Sequence, residues 1–163
     1  VRAGSVAVIS TDEAGFNAAD KAKAANGPLE DIPNGLPGVA VRLPILYTAG
    51  VLAGRISLER LVALNCANPA RIFGLYPRKG VIAPGSDADL VVIDPQHQVR
   101  LDTETQHMPV DWCAYDGMNV VGFPAYTISR GQVIVEDYSF CGERGRGRFV
   151  PGRIQTQHLE ALW

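Results

Sequence analysis

The sequence predicts an α/β segment joined to a mostly antiparallel β segment, and three observations carry that prediction. Apolar residues recur at helical spacing between Val39 and Leu75. From Tyr76-Pro77 onward the pattern changes to short β-branched runs broken by Gly, Pro and Asp. A single apolar run, Val6 to Ile9, stands ahead of the helices and ends in Ser10-Thr11-Asp12, as a buried strand with a polar C-terminal end does.

In chain order, the strand at Val6–Ile9 gives way to residues 13–38, a polar, Gly- and Pro-rich stretch that reads as one long loop, a length usually kept for function. Val39 to Ala49 reads as a helix with Leu43, Leu46 and Tyr47 on one face and Gly50 at its end. Pro44 is tolerated only in the first turn of such a helix, which constrains where it starts. Ser57 N-caps a second helix whose face is Leu58, Leu61 and Val62. Asn68-Pro69 opens a third, short helix that Gly74 ends. Ala83-Pro84-Gly85-Ser86 is a turn, and Leu90-Val91-Val92-Ile93 a fully apolar strand closed by Asp94-Pro95. Val99 to Leu101 offers a further strand, and Tyr126–Arg130 pairs with Gln132–Glu136 as a hairpin around Gly131. Residues 137–163 are expected to be an extended tail. The organisation is therefore 1–76 helical, 77–136 β, and 137–163 tail.

Bulk properties exclude several classes. Of 163 residues, 47% are hydrophobic, which permits a sizeable core, and the formal net charge of −2 offers no attraction for a polyanion. The Arg-Gly stretch Gly142–Arg148 lacks the interleaved aromatics that stack nucleic-acid bases, so nucleic acid is not an expected partner. A subunit-contacting arm is the expected role of that stretch. Cys66, Cys113 and Cys141 contain no C-x-x-C pair and read as reduced thiols. No apolar run reaches the roughly 18–20 residues of a membrane span, and the first residues show no signal-peptide pattern, so a soluble, cytoplasmic chain is expected. A start at Val1 rather than Met fits a piece of a longer protein.

Three stretches resemble a known family. They are Ile32-Pro33-Asn34-Gly35-Leu36-Pro37-Gly38 with Arg42-Leu43-Pro44, then Asn68 to Gly80 with Ile82 to Leu90, and finally His107, Val110-Asp111-Trp112, Tyr115-Asp116-Gly117 and Gly145–Phe149. Together they resemble the last third of a dihydropyrimidinase or D-hydantoinase, members of the cyclic amidohydrolase superfamily. The Pro84–Leu90 stretch marks the superfamily, whereas Asn34–Gly38 and Tyr76–Gly80 are narrower. The resemblance implies that Val6–Asp12 is the last strand of a (β/α)8 amidohydrolase barrel, that the helices to Leu75 close the barrel, and that Gly80–Glu136 is the C-terminal part of a β-sandwich. A barrel alone takes about 200–250 residues, so a fragment is expected.

The resemblance also implies a reaction: metal-dependent hydrolytic ring opening of a dihydropyrimidine or hydantoin, with this chain alone inactive. It implies a divalent metal cofactor, two zinc ions in the full-length enzyme, mostly held by residues outside this chain. His97, His107 and His158 are the only histidines, none is spaced H-x-H, and all lie in the β half or the tail. Asp12 matches the family's late aspartate, both metal ligand and catalytic proton shuttle; an Asp after a strand is otherwise most often a turn or cap residue. The family usually has Asp-His here, and this chain has Asp12-Glu13, a departure that bears on substrate subtype more than on metal chemistry. Asn34, otherwise an ordinary Asn-Gly turn residue, is implied to bind the cyclic amide or imide substrate through main-chain groups. His107 and Tyr115 match family positions and read as structural, as do Asp87 and Asp89 beside the sandwich strand. Full-length protein is implied to be a homo-oligomer, a tetramer. Two readings compete: a non-catalytic scaffold resembling the collapsin-response mediator proteins, against which retention of Asp12 counts, and allantoinase, against which Asn34–Gly38 counts. A self-standing β module is disfavoured, because it would leave the Val6–Ile9 strand with an unpaired edge.

Overall fold

A computed structural model describes residues 4–105, 107 and 109–162. Five short helices and four strands run in the order α1 (Ala18–Lys23), α2 (Arg42–Leu46), α3 (Leu58–Val62), α4 (Asn68–Ile72), β1 (Leu90–Arg100), β2 (Asn119–Ser129), β3 (Gln132–Glu136), β4 (Ser139–Phe140) and α5 (Thr156–Leu159). The strands form one antiparallel sheet in the order β1-β2-β3-β4.

The second helix starts at Arg42 and not at Val39, which puts Pro44 in its first turn, where a missing N–H matters least. It continues past Gly50 as a wide π turn, Tyr47–Leu52, and Gly54, with φ +66°, follows its end. Ser57 caps α3 as expected: its hydroxyl accepts the Arg60 N–H at 3.2 Å. Asn68 does not start a separate helix. A π turn over Ala63–Ala67 joins α3 to α4, and that wider turn carries Pro69 within the helix without the i−4 bond proline cannot make. Gly74, at φ +67°, ends the run.

In the β half, β1 does not stop at Asp94-Pro95. It bulges: Asp94 pairs with Phe123 and Gln98 with Val121, so Pro95 sits where no ladder donor is required. The Asp94 carboxylate accepts the Gln96 N–H at 2.9 Å and closes the bulge. The hairpin around Gly131 forms, with Ser129 opposite Gln132 and both turn residues, Arg130 (φ 50°) and Gly131 (φ 77°), left-handed, as a two-residue hairpin turn needs. The start of β2, from Asn119, follows none of the expected elements.

The helices rest on the sheet. Val41, Leu101 and Val120 are fully buried together, with Ile45, Val99, Met118 and Phe123 around them. Thr48 Oγ1 exchanges hydrogen bonds with the Val121 N–H and C=O, each 2.9 Å. Tyr47 lies over Gly122, where a β-carbon would fall 2.3 Å from the ring. The tail is extended only in part. Ser139–Phe140 extends the sheet, and α5 folds back on α4, with the Arg153 N–H donating to the Gly74 carbonyl at 2.7 Å and His158 edge-on to Tyr76. Arg146, in the Arg-Gly stretch, donates to the Ser129 carbonyl at 2.7 Å and so covers the chain's own hairpin.

The strand expected at Val6–Ile9 does not form, and this corrects the sequence reading. Its polar groups are taken by the helices: the Ile9 N–H donates to the Leu64 carbonyl at 3.3 Å, Asn68 Nδ2 to the Ala7 carbonyl at 2.8 Å and an Arg60 guanidinium nitrogen to the Val6 carbonyl at 2.7 Å. Strand geometry requires a neighbouring strand for these groups, and none lies alongside among the described residues. A second sheet, as a sandwich would require, is likewise not formed by the described residues.

Candidate active site

Asp12 turns the chain out of the extended segment. Its φ of 47° is left-handed, a region a non-glycine residue enters at some cost and one that Asp tolerates better than most. The turn leaves its side chain exposed. Beside it lies loop 32–39. The Glu13 and Leu36 backbones form an isolated parallel bridge, and the Ala14 N–H donates to the Leu36 carbonyl at 3.4 Å. Gly35, at φ +94°, fits only because it lacks a side chain: a β-carbon would fall 2.9 Å from the Asp12 carbonyl oxygen and 2.4 Å from Ala14 Cβ. The structure thus brings the two sequence-predicted site positions, Asp12 and the Asn34-Gly35 turn, to one place, with both side chains exposed.

Residues 13–38 are not one featureless loop. Helix α1 and a 3₁₀ turn, Leu29–Asp31, fold within them. From α1, Lys21 Nζ donates to the Pro33 and Gly35 carbonyls at 2.7 and 2.9 Å. Glu13 Oε2 accepts the Gly38 and Val39 N–H groups, both at 2.7 Å. The β half reaches the same place: Asp111 accepts the Ala18 N–H at 2.8 Å, and Trp112 Nε1 donates to the Phe16 carbonyl at 2.6 Å. Tyr115 lies against Gly38, whose added β-carbon would come within 3.3 Å of its ring. Sequence reading did not single out Lys21; a lone lysine on a short polar stretch carries no signal until the loop folds over it.

The histidines stay away from this place. His97 stacks on Tyr138 at 4.1 Å between ring centroids, and His158 packs on Tyr76. His107, at φ 50°, lines a cavity of about 320 Å³ with His97, Asp102, Glu104 and Thr105. Asp87 and Asp89 are structural, as read. Lys79 bonds Asp87 at 2.8 Å and also bonds Asp89, and hydrogen bonding to Lys79 holds the Asp87 carboxyl below its ordinary range. Cys66 is pushed up by burial, partly offset by Arg42. Among the described residues no group of three or more His, Cys, Asp or Glu side chains converges as a metal site would require. Asp12 supplies one carboxylate, so these residues do not by themselves fit a metal centre.

Comparisons with known proteins place this fold in a family. The amidohydrolase family model matches residues 1–134, and the chain belongs to that family. It is 44% identical over 147 residues to a D-phenylhydantoinase of Escherichia coli O1:K1 / APEC, covering 90% of this chain and 32% of the relative. Among solved structures, a D-hydantoinase superposes with a TM-score of 0.88 at 37% identity over 93% of this chain and 33% of its own. The D-hydantoinase (dihydropyrimidinase) from Thermus sp. gives 0.86 at 39% identity, over 90% and 32%. The L-hydantoinase (dihydropyrimidinase) from Arthrobacter aurescens gives 0.72 at 37%, over 82% and 30%. The chain therefore has the amidohydrolase fold of these hydantoinases over about a third of their length.

Proposed function

We propose that this chain is the C-terminal part of a cyclic amidohydrolase that opens a hydantoin or dihydropyrimidine ring, with Asp12 as the proton-transferring carboxylate and Asn34 as the substrate-binding turn. The observation that supports it most is the meeting of Asp12, on its left-handed backbone, with Gly35 at the tip of a loop fixed on both flanks. The relatives reported above are named as hydantoinases or dihydropyrimidinases, which supports that reading.

In this reading water adds to the ring amide carbon, and its proton passes to the Asp12 carboxylate. As the C–N bond breaks, Asp12 returns the proton to the departing ring nitrogen. The backbone polar groups of Asn34 hold the ring's amide edge in reach. A divalent metal, where bound, lowers the pKa of water and polarises a carbonyl. Asp12 would be one ligand for it, the remaining ligands would come from outside this chain, and this chain alone is expected not to turn over substrate. The fuller picture follows the resemblance: Val6–Ile9 becomes the last barrel strand once neighbours pair with it, the sheet becomes part of a sandwich, and the protein works as a cytoplasmic homotetramer with two zinc ions.

The test is ring opening of hydantoin and dihydrouracil by the longer polypeptide. Asp12→Ala and Asp12→Asn are expected to lower turnover by roughly 10²–10⁴-fold, the range for losing a general acid–base group, with the fold retained. Asp12→Ala is expected to weaken metal binding only in part. Near-parental turnover in either variant would remove this segment from the active site.

A further inference from the structure

Two charges of opposite sign grip loop 32–39 from its two ends. The Lys21 ammonium takes the carbonyls on either side of Asn34, those of Pro33 at 2.7 Å and Gly35 at 2.9 Å. The Glu13 carboxylate takes the N–H groups of Gly38 and Val39, both at 2.7 Å on a single oxygen. Bonds to a charged group are about twice as strong as neutral ones, so these four hold the loop harder than an ordinary turn would be held.

Each charge is also tied to what the site needs. Glu13 follows Asp12 directly, so its grip on Gly38 and Val39 sets the distance between the Asp12 backbone and the loop. Lys21 is itself confined, with its Nζ 5.8 Å from the centroids of both Phe16 and Trp112. Helix α1 carries Lys21, and the β half steadies α1 through Asp111 on the Ala18 N–H and Trp112 on the Phe16 carbonyl. A route of direct contacts therefore runs from the connection before β2, through α1, to the carbonyls of the two residues on either side of Asn34.

We propose that Lys21 and Glu13 are positioning residues: a paired clamp that fixes loop 32–39 so that the backbone groups of Asn34 face the substrate at a set distance from Asp12. The proposal rests on the ring-opening reading for its substrate. Its structural part stands on the four hydrogen bonds alone, and the experiment separates the two.

The measurement is amide hydrogen exchange on the chain, joined to steady-state kinetics on the longer polypeptide with hydantoin. Lys21→Met keeps the aliphatic stem and removes the charge. It is expected to speed exchange of the loop amides by about 10-fold or more while amides of β2 stay at parental rates. Glu13→Gln is expected to do the same, most at Gly38 and Val39. In kinetics both raise KM by about 10-fold with kcat changed far less, the split expected when ground-state binding is lost. Lys21→Arg, which keeps the cation, restores most of both readouts. Parental exchange in the loop of Lys21→Met overturns the clamp, whatever the kinetics do. So does a rise spread equally over β2, because Lys21 would then hold the whole fold. Faster loop exchange in a polypeptide that opens no ring leaves the clamp standing and overturns the function. Faster loop exchange with KM unchanged, while Asn34→Pro raises KM, shows that the substrate tolerates a loose loop and overturns the positioning role.

Discussion

The sheet and the segment before α2 are built by different means. Within β1 to β4 the backbone satisfies itself: strand groups pair in a ladder, and side chains enter at the bulge, at the hairpin turn and where Thr48 meets Val121. From Ser5 to Val39 the backbone depends on side chains distant in sequence. Arg60 and Asn68 hold Val6 and Ala7, Lys21 and Glu13 hold the loop, and Asp111 and Trp112 hold the start of α1. A ladder tolerates substitution because every residue brings the same donor and acceptor. A segment wired by single side chains can be loosened at chosen points, and here it carries the proposed chemistry. This agrees with the general placing of binding groups on loops over a rigid support.

The comparison can be broken hardest where helix meets sheet. Gly122 lies on β2 opposite the bulge of β1, at φ +85°, with the Tyr47 ring where a β-carbon would be. Gly122→Ala meets both a left-handed backbone and an occupied space, and is expected to destabilise the protein by roughly 2–4 kcal/mol. The denaturant midpoint would report it, as would loss of Tyr47 burial. A change below about 0.5 kcal/mol, the range of an indifferent surface site, would mean that the sheet can slide away from the helix and that the two regions are less joined than the contact suggests.

A smaller effect sharpens the other side. Asn68 is 1% exposed, donates to the Ala7 carbonyl at 2.8 Å and accepts from Arg71 at 3.1 Å. Asn68→Ala leaves that carbonyl unpaired and takes one acceptor from the Arg71 guanidinium, which keeps its place over the Tyr76 ring, and costs roughly 1–3 kcal/mol. Faster amide exchange should be confined to residues 5–12, with β1 and β2 at parental rates. Equal acceleration in the strands would show that the segment and the sheet open together.

The same contrast explains what could be read in advance. The Ser57 cap, the Gly131 hairpin and the strand at Leu90 were legible because each depends on residues close together in sequence. The wide turns at Tyr47–Leu52 and Ala63–Ala67 were not, because they follow from how a helix accommodates its neighbours. Val6–Ile9 forms no strand here for the same reason: whether an apolar run becomes a strand depends on a second strand beside it. The site was half legible. Asp12 and Asn34 were reached through resemblance, whereas Lys21, Asp111 and Trp112 act on it only through tertiary contacts. Glu13 stood out as a departure from the family pattern, yet its two N–H partners lie 25 and 26 residues on and could not be inferred.

The smallest expected effect lies at the seam where the helical half passes into β1. Lys79 bonds both Asp87 and Asp89, and Asp89 in turn accepts the Arg130 N–H at 2.7 Å, tying the start of β1 to the hairpin. Hydrogen bonding to Lys79 lowers Asp87; at Asp89 burial works upward, but Lys79 and the Arg130 N–H outweigh it, and the net shift is downward. Carboxyl groups lowered on folding add stability that is present above their unfolded pKa, about 3.9, and is lost as pH falls through the folded value. These groups lie at the surface and are partly exposed, so screening keeps the contribution small. Lys79→Met should therefore lower the urea midpoint slightly at pH 7, with the difference from the parent shrinking as pH falls from about 5 toward 2. The Arg78–Asp87 pair, at 3.0 Å, remains in the variant and should leave part of the acid dependence in place. A difference that stays constant from pH 7 to pH 2 would mean that Lys79 acts at this seam through its packed stem and not through its charge, and the seam would then belong with the self-supporting sheet.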